Sequence, residues 1–127
     1  MKVIILEDTA KSNSIKLDVE NRVKAFGGES QLVRRVGEAT PHLAKGDIDL
    51  VVIHHYGFSD VRRLKVDFPR VKCAGYFGEL EIHRQFAEIN SRGIGAETIR
   101  MFTSHYDYVL YNLGECLDNV LREIGRR

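Results

Sequence analysis

One stretch constrains the fold more than any other: Ile48-Asp49-Leu50-Val51-Val52-Ile53, followed by His54-His55-Tyr56-Gly57. Apart from Asp49 the run from Ile48 to Ile53 is aliphatic, and it has no polar face to offer water. Such a run is a central strand covered on both sides, the signature of a parallel sheet sandwiched between helices. Ligands of parallel sheets sit at the carboxyl ends of the strands. The two histidines at the end of this run are therefore the first candidates for function.

The remaining chain alternates between short apolar runs and helical patterns. Val3 to Leu6 is a buried strand ending in Glu7-Asp8-Thr9. Ser12, Asn13 and Ser14 are cap candidates for a helix whose stripe is Ile15, Val19, Val23 and Phe26, with Leu17 off it. Gly27-Gly28 ends that helix, as glycine does after a last turn. Gln31 to Val33 is a second strand nearer the edge. Residues 37–45 form a short helix with Pro41 expected in its first turn, where the missing N–H costs nothing. Residues 59–67 form a third helix with Val61 and Leu64 toward the sheet. Val71 to Phe77 is a fourth strand, 79–90 a helix, 96–104 a further short helix, and Tyr106 to Tyr111 a fifth strand. A last helix, 113–124, carries Leu113, Leu117, Val120, Leu121 and Ile124 on one face.

The pattern predicts one α/β domain over residues 1–127, with a doubly wound, five-stranded parallel sheet and helices on both faces. Right-handed crossovers favour the strand order 2-1-3-4-5. In that order strands 1 and 3 are neighbours, and Glu7, Asp8 and His54 meet at the switch point.

In this setting the chain resembles the receiver domain of two-component response regulators. Val3-Ile4-Ile5-Leu6-Glu7-Asp8 is similar to the family's first strand and its magnesium-holding acidic pair. Asp49-Leu50-Val51-Val52-Ile53 is similar to its third strand, but His54 stands at the phosphoacceptor position. Tyr76, Phe77 and Gly78 stand where a switch hydroxyl belongs. Tyr111 and Asn112 stand where lysine and proline belong. The resemblance implies a degenerate receiver, with Tyr76 and Tyr111 at its switch positions, that does not follow the standard phosphorylation cycle. It also implies that the face made by the fourth helix, fifth strand and fifth helix binds partners, with Tyr106, Tyr108 and Tyr111 as interface candidates. The alternative for these tyrosines, with Tyr76 nearby, is packing under the helices.

The chemistry is sparse. Glu7 and Asp8 are a candidate oxygen pair for magnesium or another divalent cation; the plain alternative is a solvated loop that caps a helix. His54 and His55 point to opposite faces if the strand runs through them. Only one then reaches the acidic pair, as a pH-sensitive partner, as a transition-metal ligand, or as a hydrogen-bonded strand end. Gly93-Ile94-Gly95 follows no strand, so it is no dinucleotide fingerprint. No catalytic set is present.

Charge and composition exclude more than they assign. With 19 basic and 18 acidic residues the net charge is +1, which gives no footprint for direct nucleic-acid or membrane-surface binding. No apolar run approaches the ~20 residues of a membrane span. Cys73 and Cys116, both expected to be buried, read as free thiols in a reducing compartment, so a cytoplasmic protein is the default. Two functions compete. One is a receiver-like signalling module that binds a protein partner or a second copy of itself. The other is a small α/β enzyme or metal- or ligand-binding protein using the Glu7/Asp8/His54 crevice. The missing catalytic set favours the first.

Overall fold

The computed structural model describes residues 1–7, 15–54, 58–76, 106–110 and 112–126, with the backbone alone for 58–60. The elements are β1 (Lys2–Glu7), α1 (Lys16–Ala25), β2 (Glu29–Val33), α2 (Val36–Ala44), β3 (Leu50–His54), α3 (Phe58–Asp67), β4 (Lys72–Tyr76), β5 (Tyr108–Leu110) and α4 (Glu115–Gly125). The five strands are all parallel, in the order β2-β1-β3-β4-β5.

Alternation along the strands builds two cores. Val3 and Ile5 of β1, with Leu50 and Val52 of β3, face α1 and α4. Ile4 and Leu6, with Val51 and Ile53, face α2 and α3. All eight side chains are buried, each contributing about 1.5–3 kcal/mol of transfer free energy. On α1 the expected stripe of Ile15, Val19 and Val23 is buried while Leu17 is 67% exposed. Phe26, the last member of that stripe, is 37% exposed at the helix end. Val61 and Leu64 of α3 face the sheet as their spacing requires. Gly27 ends α1 in the left-handed region at φ 78°, where a side chain would be strained.

Three local expectations are corrected. Helix α2 starts at Val36, so Pro41 lies in its second turn and not its first. The bond it cannot donate would go to the Gly37 carbonyl; both residues are exposed, so water can take the vacant place. Cys116 is half-buried, at the first turn of α4, whereas Cys73 is buried; both thiols are free. Helix α4 starts at Glu115, and the Asn112 side-chain oxygen accepts from the N–H groups of Gly114 at 3.0 Å and Cys116 at 3.2 Å. An Asx-type cap thus stands where the receiver pattern has proline. The expected helices at 79–90 and 96–104, Ser12 to Ser14 and Gly93 to Gly95 lie outside the described residues.

Gly75 in β4 has a specific reason. A Cβ there would come within 2.6 Å of the Tyr106 ring, which lies against the bare backbone. Just beyond that ring, Asp107 accepts from the Cys73 N–H at 2.8 Å and pairs with Lys65 of α3 at 2.9 Å. Its own N–H donates to the Cys73 carbonyl. The start of β5 is therefore fixed to β4 from two sides.

Candidate functional site

Register places three polar residues in one row at the carboxyl edge of the sheet. Glu7 is paired with His54, and His54 with Tyr76. Alternation decides their direction. Glu7 continues the Val3 and Ile5 side of β1, His54 the Leu50 and Val52 side of β3, and Tyr76 the Ala74 side of β4. All three therefore lie on the face covered by α1 and α4.

Glu7 is 1% exposed and His54 is 3% exposed. The Glu7 Oε2 accepts from the Ile15 N–H at 2.7 Å and lies 3.1 Å from His54 Nδ1. With Glu7 ionised, Nδ1–H is the donor in this contact, because a carboxylate only accepts. The His54 ring lies 5.2 Å from the Tyr76 ring at 45°, a tilted aromatic contact. The arrangement does three things. It satisfies a buried carboxylate with two N–H donors. It ties the end of β1 to the residue that opens α1, across residues 8–14. It fills the crevice side of β3 with an imidazole braced between β1 and β4.

This pairing fulfils the expectation that Glu7 and His54 meet, and it changes the meaning of Glu7. An oxygen that already receives two N–H groups is a poor ligand for magnesium, which demands close octahedral oxygens and retains its waters. Among the described residues no three His, Cys, Asp or Glu side chains gather into a metal-binding group. Asp8, His55 and Tyr111 lie outside the described residues.

The described tyrosines divide between the two faces of the sheet. Tyr106 is 7% exposed and belongs to the core on the α2/α3 face. Tyr76 and Tyr108 are partly buried against the core on the opposite face. A ring seated on Gly75 offers little surface to a partner, so packing is the role the structure gives Tyr106. The Ile15 N–H as a partner of Glu7 has no sequence signal, since any residue supplies that donor. The Tyr106 seat did have one: a glycine inside a strand marks a close approach.

A doubly wound parallel sheet in this order, with a polar row at the carboxyl edge of β1, β3 and β4, is a flavodoxin-like α/β domain. Comparison with solved structures agrees. The chain is similar to a response regulator from Thermotoga maritima, at 17% identity and TM-score 0.67, covering 99% of this chain and 98% of that one. It is similar to an orphan response regulator of H. pylori, at 13% identity and TM-score 0.63, with 99% and 94% covered. It is also similar to an atypical orphan response regulator described as revealing a phosphorylation-independent regulatory mechanism, at 13% identity and TM-score 0.63, with 99% and 93% covered. These likenesses establish the receiver-like fold. No family model matches the chain, and no curated protein matches it. Among the described residues no helix is long and apolar enough to cross a membrane.

Proposed function

We propose that this chain is a receiver-like signalling module whose output is set by binding a protein partner, or a second copy of itself, and not by aspartyl phosphorylation. One observation carries the reading. At the carboxyl edge, where receivers hold an acidic pocket and an acceptor aspartate, this chain has a buried imidazole bonded to a buried carboxylate. His54 matches the acceptor position of the receiver pattern, and an imidazole engaged with Glu7 through Nδ1 offers no carboxylate to form an acyl phosphate. The Glu7 oxygen turned toward it is held by N–H donors, so no divalent cation enters the reading. The likeness to orphan and atypical regulators supports it, one of them described as phosphorylation-independent.

The test is exposure of the purified protein to acetyl phosphate, and separately to beryllofluoride, with magnesium present. Intact mass is expected to show no phosphoryl adduct, and beryllofluoride to leave the amide spectrum unchanged. A stable, hydroxylamine-labile phosphate on any aspartate would overturn the proposal.

A further inference from the structure

The outer face of α3 gathers exposed arginines around an exposed apolar side chain. Among the described residues Lys2 pairs with Asp47 at 2.7 Å, Arg22 with Asp118 at 2.8 Å, and Lys65, on α3 itself, with Asp107 at 2.9 Å, whereas Lys24, Arg34, Arg35, Lys45 and Arg126 are exposed and in no ion pair with a described residue. Arg62, Arg63 and Arg70 are exposed, and none of them is in an ion pair with a described residue. On the helix, Val66 follows Arg62 by four residues and Arg63 by three, so the three share one face. Val66 is 72% exposed, the most exposed of the large apolar side chains among the described residues.

Charge is concentrated here as well. Residues 61–72 hold five basic and one acidic side chain, a net +4 in a chain of net +1, so the remaining residues carry a net −3. Beside the end of α3 lies a shallow hollow of about 480 Å³, lined by Leu43, Ile48, Phe68, Pro69 and Val71, with Arg70 and Asp67 also in its wall.

We infer that the outer face of α3, with the adjoining hollow, docks an acidic amphipathic segment of a protein partner. Its carboxylates meet Arg62, Arg63 and Arg70, and its apolar side chains cover Val66 and enter the hollow. The charged side chains that decide the matter are arginines, whose planar fork pairs bidentately with carboxylates and which are enriched at protein interfaces. The apolar centre distinguishes this surface from a nucleic-acid groove, and the net −3 of the other residues opposes a long polyanion. The inference rests on the reading that the module acts by partner binding. It names a surface away from the Glu7–His54 edge, so the two stand or fall by separate experiments.

The test is fluorescence anisotropy of a fluorescein-labelled synthetic helix with glutamates along one edge and leucines along the other. Saturable binding is expected. It should weaken about tenfold in R62E/R63E and fall with added salt, as expected when several interface charges are reversed or screened. R70E, on the turn beyond the helix, should weaken it independently of any effect on α3. R126E, on the exposed end of α4, should leave it unchanged. A polyglutamate of equal charge without leucine should bind less well, and so should a DNA duplex of equal charge. Thermal melts confirm that each variant is folded. Absence of saturable binding overturns the inference, as does equal loss in R126E and R62E/R63E. DNA binding as tight as that of the helix overturns it in favour of a nucleic-acid surface. None of these outcomes bears on whether acetyl phosphate modifies the protein.

Discussion

Glu7 can stay at 1% exposure because two N–H groups aim at one of its oxygens, and the energetic weight of His54 follows from that. Removing one partner of a buried pair leaves the other without compensation. His54→Ala is therefore expected to lower unfolding free energy by about 2–4 kcal/mol in urea titration. His54→Asp is the informative variant, because under the proposed reading it places the residue type of a receiver acceptor at this position. It also sets two buried carboxylates side by side in register. One of them must hold a proton, so its folded pKa rises above the unfolded value. Stability gained by that proton is present at low pH and lost as pH rises through the folded value. His54→Asp should therefore be less stable at pH ~8 than at pH ~5, and should stay unmodified by acetyl phosphate. Wild-type stability at both pH values would show that Glu7 does not face residue 54. A second group gives a further pH test. Burial pushes the Cys73 thiol up from 9.0 to about 12, with Asp107 adding to the rise and Lys65 opposing it. The folded state then keeps a proton that the unfolded chain releases, so stability falls between these values by about 1.4 kcal/mol per pH unit. The measured loss should disappear in Cys73→Ala. A thiol reagent at pH 8 should label half-buried Cys116 and spare Cys73 until denaturant is added.

At the scale of elements, the join between β4 and β5 is the part most open to direct test. The Tyr106 ring needs the missing side chain of Gly75. Gly75→Ala is expected to cost about 1–3 kcal/mol, as overpacking does in a filled core. In a Tyr106→Ala background the same substitution should cost much less, because the cavity left by the ring admits the methyl group. Additivity within about 0.5 kcal/mol in that double-mutant cycle would show that the two positions do not touch. The elements themselves were largely legible. Stripes at helical spacing located Val19, Val23, Val61 and Leu64, and the aliphatic runs located β1, β3 and β4. Legibility failed where a local rule met a tertiary choice. Pro41 fits a first turn by local preference, yet the helix starts where Val36 packs against the α2/α3 core. The cap of α4 comes from Asn112, upstream of the first helical residue, and turn chemistry alone does not reveal that reach.

For the whole molecule, the strand order followed from handedness, because right-handed crossovers leave few ways to lay alternating strands and helices. The state of the crevice did not follow. Adjacency of β1 and β3 predicts that Glu7 and His54 are near one another. Whether they bond to each other or point at a shared ligand depends on a backbone N–H eight residues beyond Glu7 and on burial that only the assembled fold defines. The same limit applied to the α3 surface: the local excess of charge over residues 61–72 was countable in the sequence, but the 72% exposure of Val66 beside Arg62 and Arg63 was not. The filled edge has a consequence for time and information. A regulator with a chemical mark stores a recent event in its own covalent state and forgets it at the rate of hydrolysis. A module whose edge carries a Glu7–His54 pair in place of an acceptor has no such memory under the proposed reading. What it reports is how much of it exists and how much partner is at hand, so its response is as fast as its synthesis, its removal and the dissociation of its complexes.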